Sequence, residues 1–145
     1  MARHPDARVE RIAERFESFT RADLASLHEL YTEDAYFKDP FNEVRGTTAI
    51  RAVFEHMFAS LDGPRFVVRD LVAEGDQCFV GWDFLFRMKR FDRAEQCIRG
   101  ASHLKLAADG RIAWHRDYWD AAEELYEKLP LLGGLIRWLK RRANA

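Results

Sequence analysis

The residues best suited to proton chemistry lie close together near the end of the chain. His115 and Asp117 are separated by one residue in a β-rich run over 111–119. In a strand, residues i and i+2 share a face, so both ionisable groups project side by side, flanked by Ala113 and Trp119. Ile112, Trp114, Arg116 and Tyr118 take the other face. The same parity in the run 95–106 sets Ser102 with Gly100, Leu104 and Leu106, and turns His103 away. In the run 77–90 it makes Val80, Trp82, Phe84 and Phe86 one wholly apolar face. Where these faces look into one cavity, the imidazole and carboxylate stand among Trp and Phe. Desolvation there raises a carboxyl pKa and suits it to proton transfer. Parity alone leaves a second reading open, a solvated polar pair on the outer face.

The positioning elements follow from periodicity. Residues 9–31 are helical: Ile12, Phe16 and Phe19 form one apolar stripe, and Leu24, Leu27, Leu30 and Tyr31 a second, with Asp23 as N-cap of that piece. Thr32-Glu33-Asp34 breaks the pattern before a short strand over 35–38. Pro40 then biases Asp39 toward an extended backbone. Gly46-Thr47 opens a further helix with Ile50, Val53, Phe54, Met57 and Phe58 at helical spacing, ended by Asp62-Gly63-Pro64. Four strands are predicted over 65–73, 77–90, 95–106 and 111–119, separated by turns at 74–76, 91–94 and 107–110; Asp109-Gly110 is a hairpin signal. Helix returns over 120–129 and, after Pro130, over 131–142. Helices first and a meander after predict an α+β domain: a curved antiparallel sheet wrapped around N-terminal helices, cone-shaped, with an added C-terminal helix. The open end of such a cone is a ligand site by default.

Composition narrows the function classes. The 145 residues carry 23 Lys+Arg against 24 Asp+Glu, with 48% hydrophobic residues and 11 Phe. That length suits a single domain over 1–145 with its own core. A net charge of −1 argues against nucleic acid as a partner. The charged start, with Asp6, Glu10 and Glu14 among its arginines, reads as neither secretory signal nor transit peptide, so the expected compartment is cytoplasmic. Cys78 and Cys97 make no CxxC or disulfide framework and read as two small buried thiols. His-x-Asp also begins a facial iron triad, but no second His follows His115, and no metal is expected. Phosphate-cradling glycine loops and a GxSxG elbow are absent, and His28 and His56 read as helix-surface residues.

The run Tyr31-Thr-Glu-Asp-Ala-Tyr-Phe-Lys-Asp-Pro-Phe41, then Val44-Arg-Gly-Thr-Thr-Ala-Ile50 leading into a Phe-rich helix, resembles the opening half of the nuclear transport factor 2-like superfamily. It is most similar to the SnoaL-like and ketosteroid isomerase-like branch. Ala108-Asp-Gly-Arg-Ile112 followed by Asp117-Tyr-Trp119 resembles the closing hairpin, so the likeness covers about 8–126. The resemblance implies a homodimer through the outer sheet face and turns His115, Asp117 and Trp119 toward the pocket. It places Asp39 on the isomerase general base, which moves a proton alpha to a ketone while a Tyr and a protonated Asp hold the enolate oxygen. Three positions depart from that pattern. Residues 15–19 offer no Tyr, with Phe16 or a neighbour at its place; Phe54 stands for a further Tyr, and Ser102 for the oxyanion Asp. Steroid isomerisation is therefore not expected.

These readings point to a SnoaL-like small-molecule enzyme doing acid–base chemistry of isomerase, cyclase or dehydratase type, without a cofactor, on an apolar carbonyl-bearing substrate. Asp39 would abstract a proton, and His115 and Asp117 would deliver one or orient a water. Phe16, Phe54, Trp82, Phe84, Phe86, Ser102 and Trp119 would contact the substrate. Two other classes stay open: a non-catalytic binder of a lipophilic ligand, and a dimeric assembly module using the tail. In that tail Leu131, Leu132, Leu135, Ile136, Trp138 and Leu139 make a broad apolar surface beside Arg137 and residues 140–142. It is expected to cap the sheet or the pocket mouth, rather than form a subunit contact or touch a membrane.

Overall fold

A computed structural model describes residues 3–90, 93–124 and 130–144. Helix α1 (Ala7–Glu17) begins at Asp6, whose side chain accepts the Arg8 backbone N–H. A 3₁₀ helix follows over Arg21–Glu29, kinked at Ser26. Its N-cap is Thr20, not Asp23 as expected. Asp23 lies three residues in, and its carboxylate accepts from the Thr20 N–H at 2.6 Å and the Thr20 hydroxyl at 2.9 Å, in the manner of a capping box. Then come β1 (Tyr31–Lys38), β2 (Glu43–Arg45), α2 (Thr47–Ser60), β3 (Leu61–Glu74), β4 (Gln77–Met88), β5 (Glu95–Leu106) and β6 (Ile112–Tyr118). The one-turn α3 (Ala121–Glu124) and α4 (Pro130–Ala143) complete the order. The helix expected over 125–129 lies outside the described residues, as does part of the turn at 91–94.

The six strands form one unclosed sheet in the order β2-β1-β6-β5-β4-β3. All neighbours are antiparallel except β1 and β6, which run parallel. Bulges bend it. In β3 the register shifts between Asp62 and Arg65, where Gly63 takes φ 58° and Pro64 has no N–H to donate. A second shift at Arg69 follows. α1 and α2 pack on the concave side, so the α+β architecture, the curved sheet and the added C-terminal helix are as the sequence implied.

Two further bulges decide which side chains reach the interior. Between Tyr31 and Tyr36, β1 passes four residues against only one of β6, Ala113, which takes up Thr32-Glu33-Asp34 inside the strand. That segment was expected to break the chain before a strand at 35, and Tyr31 to end a helix. Instead Tyr31 opens β1 and is fully buried. In β6, Ala113 is the extra residue opposite β5, so Ile112 and His115 both face inward despite opposite parity.

The core is built from Ile12, Leu27, Ile50, Val80, Leu104 and Ile112, with Phe37 and Trp82 among them. Cys78 is buried as expected, with its thiol pushed up to about 11 by desolvation, whereas Cys97 is half-buried. Trp82 pairs with Gly100 across β4 and β5, and the far edge of its indole lies against that residue. A Cβ at Gly100 would stand 2.5 Å from Trp82 Cη2 and 3.0 Å from Trp119 Cβ. The glycine is thus the seat of the indole. On α4, by contrast, Leu135, Trp138 and Leu139 are exposed, which corrects the expectation that this helix caps the sheet with that stripe. The side chains of Leu131, Leu132 and Ile136 lie outside the described residues.

Two outcomes are expected. Gly100→Ala forces Trp82 to move and lowers stability by about 1–3 kcal/mol, read as an earlier midpoint in urea unfolding. Tyr31 titrates well above its ordinary 10.0, first because it is desolvated and second because Asp117 is nearby. The unfolded chain releases that proton near its ordinary value and the folded chain keeps it. Stability is therefore complete below pH about 10 and falls as pH rises beyond it. In an alkaline titration the Tyr31 phenolate band should emerge only with loss of the near-ultraviolet circular dichroism.

Candidate active site

Tyr31, Trp82, Ser102, His115 and Asp117 come from four strands and meet in one hydrogen-bonded chain. The Trp82 indole N–H donates to Ser102 Oγ at 2.9 Å, and Ser102 Oγ–H donates to Asp117 Oδ1 at 2.5 Å. His115 Nε2 lies 2.6 Å from that same oxygen, and His115 Nδ1 lies 2.7 Å from the Tyr31 hydroxyl. The register explains the convergence. Ser102 is directly opposite Asp117, Phe37 is opposite His115, and His115 and Asp117 share a face two residues apart.

The tautomer follows from Tyr31. Burial holds its hydroxyl protonated, and the hydrogen needs an acceptor, for which His115 Nδ1 is in place. The ring proton then sits on Nε2 and donates to Asp117. Both arms of the chain therefore donate toward Asp117 Oδ1. Its other oxygen, Oδ2, accepts no hydrogen bond among the described residues. The imidazole is fixed by packing as well: ring centroids of Phe37, Tyr31 and Phe16 lie 4.7, 5.8 and 6.0 Å from it, and His115 is 3% exposed.

Asp117 lines a cavity of about 410 Å³. Its wall is largely aromatic, including Phe37, Phe54, Phe66, Phe84 and Trp119, with Trp82 at the hydrogen-bonded end. The polar members are Asp117, Asp39 with Asn42, and His56 with Ser60 on α2. A second void of about 20 Å³, the size of one water, is bounded by Phe16, Tyr31, Ser102, His115 and Asp117. Asp117, Phe54 and Phe66 border both spaces.

The sequence-derived residues are distributed unevenly. His115 and Asp117 face inward together, which settles the parity question against an outer solvated pair. Phe54, Trp82, Phe84 and Trp119 border the large cavity, whereas Phe16 and Ser102 border the small one. Phe86 is buried 5.3 Å from Phe84, within the core. Asp39 borders the large cavity with Asp117, but its carboxylate is committed to a turn. Oδ1 accepts the backbone N–H groups of Phe41 at 2.8 Å and Asn42 at 2.6 Å, and Asn42 Nδ2 lies 3.1 Å from both oxygens. That turn holds Phe41 edge-on to Trp119, with centroids 5.6 Å apart. His28 and His56 are exposed, as expected. Sequence reasoning missed Tyr31, Phe37 and Phe66. Tyr31 was hidden by its position at the end of a helical stripe; Tyr-Thr, two strand-favouring residues in a row, was the available signal. Among the described residues, no three His, Cys, Asp or Glu side chains converge on a point that could hold a metal.

Comparison with known proteins agrees with this architecture. No curated protein matches the chain in sequence. A nuclear transport factor 2-like protein of unknown function from Burkholderia pseudomallei superposes with a TM-score of 0.70 at 15% identity, over 81% of this chain and 94% of that one. TsrD from Streptomyces laurentii gives 0.70 at 20% identity, covering 86% and 96%. An LEH-like epoxide hydrolase of M. tuberculosis gives 0.67 at 17% identity, covering 92% and 96%. At such identities the likeness is one of fold. The profile of a family described as a SnoaL-like domain matches residues 12–115. With that match spanning most of the sheet and helices, the chain belongs to the SnoaL-like family, and its fold is of the nuclear transport factor 2-like kind.

Proposed function

We propose that the protein is an enzyme that moves a proton on an apolar, carbonyl-bearing small molecule, with Asp117 as the group that takes it. One observation carries this reading: a carboxylate held on Oδ1 by Ser102 and His115 leaves Oδ2 open at an aromatic cavity large enough for a small organic molecule. The substrate body packs on Phe54, Phe66, Phe84 and Trp119. Asp117 Oδ2 removes the proton alpha to the carbonyl, the C–H electron pair enters the π system, and negative charge develops on the carbonyl oxygen. Returning the proton to another carbon isomerises the substrate. Alternatively the carbanion attacks a second carbonyl and closes a ring, and that carbonyl's π bond opens to an alkoxide that takes the proton back from Asp117. His115 and Ser102 orient the base; Tyr31 fixes the His115 tautomer and is a positioning residue. His56 and Ser60, 3.5 Å apart on α2, supply N–H and O–H groups along the same cavity for the oxyanion. A fold relative described as an epoxide hydrolase supports an enzymatic use of this fold.

Asp39 takes a different part from the one expected of it. Its oxygens already accept the turn N–H groups, so it positions Phe41 and Trp119 at the cavity.

A second reading is favoured by a separate observation. Among the described residues the one buried phenol at the site is committed to His115, which leaves a cavity that retains an apolar ligand unchanged. Mass spectrometry of material extracted under denaturing conditions then finds a single unaltered ligand at near-stoichiometric amount.

The catalytic reading is tested by hydrogen exchange on a simple apolar ketone, 2-tetralone, in deuterated water. Wild-type protein should accelerate deuterium entry at the carbon alpha to the carbonyl, and Asp117→Asn should lower that rate about 100-fold or more. Asp39→Asn should cost less than about tenfold, and an equal loss in both variants would return the role of base to Asp39. Tyr31→Phe should lower kcat with KM little changed and alter the pH–rate profile, since the imidazole loses the partner that fixes its tautomer. Exchange no faster than in buffer, for every variant alike, removes the catalytic reading.

A further inference from the structure

We infer that α4 is a docking helix for an anionic lipid surface. Leu135, Trp138 and Leu139 fall at i, i+3 and i+4, so they form one stripe, and they are 51, 45 and 47% exposed. Arg137, Lys140 and Arg141 occupy other positions around the helix. Arg142 returns to the stripe, where its guanidinium lies 5.1 Å over the Trp138 ring. The helix sequence contains four cations and no acid, so all 24 acidic residues of the chain lie outside it. A near-neutral protein thus carries its cationic excess on one exposed element that also carries an apolar stripe.

That combination selects among occupants. A bilayer surface offers apolar depth for Leu135 and Leu139, an interfacial layer for the Trp138 indole, and phosphates for the cations, whose long stems reach back to the headgroups. A second copy docking α4 on α4 would bring four cations against four, which like-charge repulsion opposes. Fourteen residues make a helix about 21 Å long. The hydrocarbon core is roughly 30 Å thick, and among the described residues no helix is long and apolar enough to cross a membrane. The helix therefore lies in the surface. This departs from the expectation that the tail makes no membrane contact, and it stands independently of the reaction assigned to the cavity.

The test is sedimentation of the full chain with vesicles of phosphatidylcholine, alone or with a third of phosphatidylglycerol. Binding to the anionic vesicles is expected to be at least about tenfold stronger, and to weaken as salt is raised. Lys140→Gln with Arg141→Gln should lower it about tenfold or more, and Leu135→Ser with Leu139→Ser by a similar factor, both with unchanged circular dichroism. Equal binding to the two vesicle types overturns the inference, as does vesicle binding that neither double variant reduces. If the serine variant instead splits a larger particle into a smaller one, with vesicle binding unchanged, a second copy covers the stripe and the lipid assignment fails.

Discussion

The carboxylate of Asp117 is where the demands on this fold concentrate. Two relays of neutral donors, Trp82 through Ser102 and Tyr31 through His115, end on the same oxygen. A polar group removed from water costs several kcal/mol unless it finds a partner, so each member of the chain must be held in its geometry by the strand that carries it. Among the described residues no side-chain nitrogen or oxygen is buried without a hydrogen-bond partner. The sheet curvature, the bulges and the seat at Gly100 can all be understood as conditions for that satisfaction. The indole has room to reach Ser102 because Gly100 carries no side chain, and Ile112 and His115 both face inward because Ala113 is bulged out of register.

Around this polar line the structure is almost entirely aromatic. Phe66 stacks on Phe84 and meets Trp82 edge-on, and Phe54 links Phe19 to Phe37. Such rings exclude water while tolerating many ligand shapes, which suits a site whose orientation is set by one carboxylate. The opposite sheet face uses aromatics differently. There His103 stacks on Phe79 at 4.3 Å and meets Trp114 at 5.0 Å, beneath Lys105. A histidine on the neighbouring strand is thereby kept from the cavity, and burial with Lys105 nearby lowers its pKa.

Strand parity and turn residues made much of this readable from the amino acids. The limits of β5 coincide with expectation, the inward face of β4 carries the residues that alternation assigned to it, and in β6 the assignment holds for His115 and Asp117 but not for Ile112 and Ala113. What alternation cannot encode is an extra residue. The bulges in β1 and β6 change which side chains face inward; the one in β1 depends on β6, remote in sequence, and the one in β6 on an unpaired residue just after the turn from β5. Helical spacing therefore claims Tyr31, although it opens a strand and carries the phenol bonded to His115. The three-residue β2 escaped for a related reason, since so short an edge strand exists only through its pairing with β1. Asp39 illustrates a further gap: an Asp before Pro can serve as a base or cap a turn, and only the positions of the Phe41 and Asn42 amides distinguish them.

The parallel pairing of β1 with β6 has a kinetic meaning beyond its geometry. Strands β3 to β6 form a meander of sequential neighbours, and β1 with β2 is equally local. The seam between these two parts joins Tyr31 to His115 across 84 residues, making it the most entropically expensive pairing in the sheet to close. Asp117 and Ser102 lie on the meander side, and the phenol bonded to the imidazole lies on the other. A chain stopped just short of native structure would thus own nearly all of its sheet and still lack an aligned site. Opening this one seam would therefore part Tyr31 from His115 while leaving the hydrogen-bonded strands of the meander paired.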